Sequence, residues 1–283
     1  MRSFDKLIKE KAGLLTRSQR QPLQYILSHE DEAVFLNINK LAKKTNVSKA
    51  TVVRLCKTLG YSGFPHFQED LRTHFKNKLT STSRMQNVVR KVTNESEVLA
   101  KVLQTDINNI AETLKQVSVE DFTQFIKLMD SAERIVIVGL RSAYSVAFFL
   151  GIALEYLDKS VWIVQPAVGN MWDRLIRLKR GDLVIGISFP RYTKLTIEVM
   201  QYAKSRSVKT LAITDSHMSP LAQCADHILV AHYKMNSFIE SLTASLSLVN
   251  AIITALAVHN KQNTMKSLNE LEQVWRSQQV FYL

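Results

Sequence analysis

Cysteine is nearly absent: Cys56 and Cys224 are the only two in 283 residues, far apart and without CxxC or Cys/His ligand spacing beside them. That arrangement argues against a disulfide framework or a cysteine-ligated zinc site, and both thiols read as packed core residues. Long apolar runs are missing too. The longest, Leu246 to Val258, is interrupted by Ser247, Asn250 and Thr254 and reads as a buried helix, so no membrane partner is expected. The N-terminal MRSFDKLIKEKAGLL lacks the continuous apolar core and small-residue cleavage site of a secretory signal, and a cytoplasmic location is expected. Neither GxGxxG nor a Walker lysine motif occurs, which disfavours a nucleotide; no cofactor is expected. His66 and His74 have no companions at metal-ligand spacing and read as surface or packing side chains, so no metal is expected either.

What the chain does have is an ordinary globular composition, 46% hydrophobic and 22% charged, at a length that suggests two domains. The net charge of +12 is unevenly spread: residues 1 to 80 hold 15 Lys and Arg against 7 Asp and Glu. A basic excess concentrated in the first quarter suits contact with a phosphate backbone, whose condensed counterions Lys and Arg release. Short helical patterns fill residues 4 to 77 with no period-two strand. From 134 onward, β-branched runs alternate with helical ones: RIVIVG (134–139), VWIV (161–164), DLVIGIS (182–188), VKTLAIT (208–214) and HILVA (227–231). The expected fold class is therefore α/β: an all-helical N-terminal domain at 1–77, a polar Ser/Thr-rich linker at 78–94, and a parallel sheet flanked by helices within 95–283. Val98, Val102, Leu103, Ile107, Ile110 and Leu114 recur at helical spacing and are expected to face the sheet or a second subunit.

The most informative stretch is INKLAKKTNVSKATVVRLCK, Ile38 to Lys57. Leu41 and Ala42 give a first helix an apolar face, and Asn46 tolerates the left-handed conformation a tight turn needs. Ser48 is a natural N-cap for the helix that follows. Val52, Leu55, Cys56 and Leu59 form that helix's buried stripe, with Gly60 ending it. Lys49, Ala50, Thr51, Arg54 and Lys57 are then expected to face outward, as in a recognition helix laid in the major groove of double-stranded operator DNA. Ser48, Lys49, Ala50, Thr51, Arg54 and Lys57 are the candidate DNA-contacting residues.

In the second half, two strand-to-helix loops are candidates for holding an anion. GLRSAYS (139–145) offers small and hydroxyl side chains and backbone N–H groups, with Arg141 and Ser142 at its centre. SFPRYT (188–193) places Ser188, Arg191 and Thr193 at a helix start. Taken singly, either loop reads more readily as a plain strand-to-helix connection; together in one sheet they favour a pocket.

With NVSKATVVRLCKTLGYSGFPHF (46–67), VGLRSAYSVA (138–147), GDLVIGISFPRYTKLTIEVMQYAK (181–204) and LAITDSHMSPLAQCADHILVA (211–231) in view, the chain resembles the MurR/RpiR family of transcriptional regulators over nearly its whole length. These join an N-terminal helix-turn-helix to a C-terminal SIS (sugar isomerase) domain. The resemblance implies a five-stranded parallel SIS sheet, a homodimer or tetramer, and control of carbohydrate-related genes by a phosphosugar. It also implies that Ser142 belongs to the first phosphate-binding loop and that Ser188 and Thr193 stand at the ends of the second. Pro190 and Arg191 depart from the family's Ser-x-Ser-Gly-x-Thr pattern. Arg191 would then clamp a phosphate, favour a carboxylate such as an organic acid, or fill the pocket itself. Glu240 lies near where SIS isomerases place a carboxylate and joins the candidate effector residues, with a plain helix-start acid as the alternative. No catalytic role is assigned to it or to His217, His227 and His232. A sugar-phosphate isomerase with a helical extension is the alternative function.

Overall fold

The computed structural model describes residues 4–90, 94–165 and 169–282. The chain divides into two compact units, Met1–Lys91 and Val92–Leu283.

The first unit is all helical: α1 (Phe4–Lys11), α2 (Arg17–Ser28), α3 (Glu30–Ala33), α4 (Ile38–Lys44), α5 (Lys49–Thr58), α6 (Phe64–Lys78) and α7 (Ser81–Val89). Local chemistry sets its boundaries. Thr16 and Gln19 cap α2 reciprocally, each side chain accepting the other's backbone N–H. Asn37 caps α4 by accepting the Lys40 N–H at 3.0 Å. Ile26, Leu36, Leu41, Leu55, Leu59, Phe67 and Leu71 are buried together in one core. Cys56 lies among them, and burial pushes its thiol pKa up to about 12, as expected of an inert core thiol. The stretch read as linker carries a helix: Thr80 accepts the Ser83 N–H at 3.2 Å and starts α7, whose Arg84 is buried. A Ser/Thr-rich composition serves a capped surface helix as well as a linker, and the polar pattern alone does not separate the two.

The second unit opens with α8 (Ser96–Gln116) and α9 (Val119–Ser131) and then alternates: β1 (Arg134–Gly139), α10 (Ala143–Tyr156), β2 (Val161–Ile163), α11 (Met171–Leu175), β3 (Asp182–Ile187), α12 (Lys194–Ser205), β4 (Lys209–Thr214) and β5 (His227–Val230). It closes with α13 (Thr243–His259) and α14 (Lys261–Ser277). All strand pairs are parallel, in the order β2-β1-β3-β4-β5. Each of the five β-branched runs is a strand. Alternation along them feeds two cores. Ile135, Ile137, Ile185, Ile187 and Ile213 pack against α9, α10 and α13; Val136, Val138, Val184 and Ala212 pack against α11 and α12.

Gly139 ends β1 where α10 passes closest, because a Cβ there would lie 2.7 Å from the Ala143 carbonyl oxygen and 2.9 Å from the Ala147 Cβ. Leu246 to Val258 lies in α13, which buries Leu248, Val249, Ile252 and Leu256. Among the described residues no single helix is long and apolar enough to cross a membrane; α13 and α14 qualify only as a pair, bent by 105°. The apolar stripe of α8 does not face the sheet. Leu99, Leu103, Ile107, Ile110 and Leu114 are between 38% and 80% exposed, and the helix rests on α13 by another face.

Candidate functional site

In the first unit, α4 and α5 build a helix-turn-helix. Asn46 adopts φ 50°, and the Val47 N–H donates to the Ala42 carbonyl at 3.0 Å, closing the turn. The Ser48 hydroxyl accepts the Thr51 N–H at 3.1 Å and so starts α5; Gly60, at φ 97°, follows its end. Gln19, buried on α2, donates to the Thr58 hydroxyl at 3.1 Å and fixes α5 from behind. Glu32 accepts from Tyr25 and Lys44. Burial would raise the Glu32 pKa, but those bonds outweigh it and hold the carboxyl below its usual value. Lys44 is thereby engaged, while Lys40, Lys43, Lys49, Arg54 and Lys57 remain exposed around the reading helix.

One expectation is corrected here. Thr51 does not face outward: it is 6% exposed. As the third residue after the cap it turns back onto Ser48, with the two hydroxyls 2.9 Å apart, and it accepts from Arg54 Nη2 at 3.2 Å. Its place is beneath Arg54, orienting the guanidinium. Ser48, Lys49, Ala50, Arg54 and Lys57 are exposed.

In the second unit the strand order reverses between β1 and β3, so α10 and α12 depart to opposite faces and leave a crevice at the strands' carboxyl ends. The two candidate loops border it. Arg141 and Arg191, one in each, both adopt positive φ, 60° and 73°, a conformation disfavoured for bulky residues and concentrated at functional positions. Both are exposed, so the guanidinium of Arg191 is not buried within the unit. Ser188 is buried, and its hydroxyl accepts the Thr193 N–H at 3.4 Å. The Ser142 hydroxyl donates to the carboxylate of Glu240, which stands on the loop before α13 rather than in that helix's first turn.

Three neighbours escaped the sequence reading. Thr214, at the end of β4, donates to the Ser188 carbonyl at 2.8 Å, and the Tyr192 hydroxyl lies 2.9 and 3.0 Å from the two oxygens of Asp215. The signal was available for Asp215, which directly follows a strand at the edge where ligands bind; nothing in the sequence pairs it with Tyr192.

The loop bearing Glu240 is tied to α8 by side chains. Asn236 donates to the Lys101 carbonyl at 3.0 Å and the Thr105 hydroxyl at 2.6 Å. Ser241 and Thr243 both donate to Asp106. Buried Asn109 donates to the Lys234 carbonyl at 2.7 Å, and the Thr113 hydroxyl accepts the His232 N–H at 2.9 Å.

Comparison with known proteins places both halves. Residues 3–78 match the model of the helix-turn-helix domain of the rpiR family, and residues 128–255 match the SIS domain. The chain belongs to the rpiR family of helix-turn-helix and SIS transcriptional regulators. Among its relatives, an HTH-type transcriptional regulator of Haemophilus influenzae is 26% identical over 90% of this chain and 93% of that protein. The sugar isomerase domain of an RpiR transcription factor from Sphaerobacter thermophilus is 29% identical, covering 62% of this chain and 99% of that one, with TM-score 0.59. The Vibrio vulnificus NanR protein complexed with ManNAc-6P shares the fold over 98% of this chain and 99% of that one, with TM-score 0.63 at 21% identity. As an rpiR-family chain, then, the protein carries its helix-turn-helix in the first unit and its SIS sheet in the second.

Proposed function

We propose that this DNA-binding regulator is controlled by a small anionic metabolite, a phosphosugar foremost, held at the crevice between β1 and β3. The observation that carries the reading is the placement of Ser142 and Ser188, with Arg141, Arg191 and Thr193 beside them, on the two loops flanking that strand-order reversal. Hydroxyls and backbone N–H groups suit a phosphate or carboxylate, and two flanking guanidiniums add charge-assisted bonds. The relative complexed with ManNAc-6P supports a phosphosugar over an organic acid. The chain acts by binding rather than turnover, in the cytoplasm on the nucleoid. Its copies associate through the exposed stripe of α8, whose spacing of three and four residues is that of a helix-packing seam. Two readers so joined would meet the half-sites of a near-palindrome.

Glu240 accepts from the Ser142 hydroxyl and would move, or share the site, when an anion enters. For the metabolite to change operator affinity it must bind one arrangement of the readers more tightly than the other. The test is a thermal-shift screen of phosphosugars and organic acids, since a ligand of the native state raises apparent stability. Operator binding is then measured with and without the hit. Arg191→Ala should abolish the metabolite's effect and leave ligand-free DNA binding unchanged; an undiminished response in that variant refutes the pocket. Turnover of a phosphosugar that disappears in Glu240→Gln would favour the isomerase reading.

A further inference from the structure

The second unit is almost neutral, with 19 Lys and Arg against 18 Asp and Glu in residues 92–283. Its cations are nonetheless segregated. Arg174, Arg177, Lys179, Arg180, Lys204, Arg206 and Lys209 are seven of those 19, and all are exposed. The run RLIRLKR (174–180) buries Leu175 and Leu178 and turns its four cations to solvent. Contacts join this run to the rest. Arg206 at the end of α12 donates to the Ile176 carbonyl at 3.4 Å, and Trp172 meets Tyr202 edge-on at 5.7 Å. Arg134 donates to the Arg177 carbonyl at 3.3 Å.

Strand register fixes where the cluster sits. Arg134 is level with Asp182, and Leu183 with Lys209, so β1, β3 and β4 all begin here, at the amino edge of the sheet. The metabolite crevice is at the carboxyl edge, so this patch is no part of that site. The acids at this edge are fewer: Asp182 is buried against Arg134, Glu133 pairs with Lys179, Asp226 accepts the Thr210 N–H beside Lys209, and Asp173 stands beside the arginines. The Arg174 guanidinium lies over the Trp162 ring, 4.0 Å from its centroid, a cation–π contact that helps to fix it.

We infer that this amino-edge patch is a second, sequence-independent contact for the phosphate backbone of double-stranded DNA, separate from the reading helix. The inference rests on the chain being a DNA-binding regulator. Like charges gathered on one end of a neutral unit repel one another, and a polyanion relieves that repulsion. Four of the seven are arginines, whose planar fork matches phosphate oxygens, and contact with each phosphate releases condensed counterions. DNA already gripped by the reader supplies phosphates at high local concentration.

The test uses the full chain and a 60-base-pair duplex of random sequence, with affinity followed by fluorescence anisotropy across a salt series. Each phosphate contact contributes about −0.9 to the slope of log K against log salt. Replacing Arg174, Arg177, Arg180 and Arg206 together by Gln should make the slope shallower by about 2 to 4 and weaken binding at least about tenfold at moderate salt. Arg177→Gln with Arg180→Gln spares the Trp162 stack and the Ile176 contact, and should give about half that slope change. Circular dichroism melts identical to wild type show that neither variant loses its fold.

An unchanged slope in both variants, with Arg54→Ala and Lys57→Ala still weakening binding, overturns the patch and leaves the regulator reading intact. Failure of the wild type to bind the duplex at low salt overturns both. Loss of binding to phosphatidylserine vesicles in the variants, with DNA slopes unchanged, assigns the patch to a membrane surface and refutes the inference.

Discussion

Gly139→Ala is the sharpest test of how the sheet edge is built. The added methyl would lie 2.7 Å from the Ala143 carbonyl oxygen and 2.9 Å from the Ala147 Cβ, and both belong to the first turns of α10. The nearer atom is backbone, so no side-chain rotation relieves the contact. Relief needs β1 and α10 to part by about half an ångström, in a core where Val138, Ala143, Val146 and Ala147 are at most 4% exposed. Overpacking of this kind costs about 1 to 3 kcal/mol. For a unit near 190 residues, each kcal/mol lowers Tm by about 2 to 4 °C. The melting transition of the second unit should therefore fall by about 2 to 12 °C in differential scanning calorimetry. Arg141 and Ser142 ride on the displaced loop, so the metabolite response should weaken as well. Gly13→Ala is the control, because nothing lies within 4 Å of a Cβ there. A Gly139→Ala protein that melts within a degree of wild type would refute the close-approach argument.

Ser48→Ala removes the cap of the reading helix and the partner of Thr51; a loss of about 1 kcal/mol in urea unfolding of the first unit is expected, and no loss would mean the cap is idle. Thr51→Val keeps the shape but frees the Arg54 guanidinium, so specific operator affinity should fall while random-duplex affinity holds; equal loss on both would make Arg54 a phosphate grip. Asp130 is held below the usual carboxylate range chiefly by its bond from Lys159, at 2.8 Å. Because the folded value is depressed, this contribution is complete above the unfolded pKa of about 3.9 and is lost as pH falls through the folded one. The Tm gap between wild type and Asp130→Asn should therefore narrow as pH is lowered from about 5 through the acid range; a gap that stays constant or widens on acidification would contradict the pairing. Leu103→Asp with Leu114→Asp should shift the chain to monomer in sedimentation velocity, and an unchanged assembly would remove α8 from the interface.

The sheet was legible because its signals are local and repeated. Each β-branched run is a strand, and period-two alternation already divides the two cores that α10 and α12 cover. Asn46, Ser48 and Gly60 were equally readable, since each supplies a backbone need that few residue types meet. Thr51 was not: helical spacing leaves the third residue after a cap ambiguous, and only the bonds to Ser48 and Arg54 draw it inward. Around the crevice, Ser142, Ser188 and Thr193 follow from their place after strands. The partnership of Tyr192 with Asp215 joins two loops far apart in sequence, and the left-handed backbone of Arg141 and Arg191 has no residue-type signature, because arginine adopts it only when its surroundings impose it.

The loop from His232 to Leu242, with Thr243 at the start of α13, is fastened to α8 by polar contacts, while its own Phe238 and Ile239 are about half exposed. The fastening is polar toward α8 and apolar beneath, where Tyr233 and Leu242 pack on the core. Each of its bonds contributes only about 1 kcal/mol net, since water replaces what is lost. Peeling the loop away therefore breaks those bonds and exposes Tyr233 and Leu242 as well, a local unfolding with its own heat-capacity increase. The same rupture takes loop partners from Asp106, Asn109 and Thr113, along about two turns of α8. An anion that draws Glu240 from Ser142 would pull on the same loop, and amide exchange on α8 would register it without any movement of the sheet.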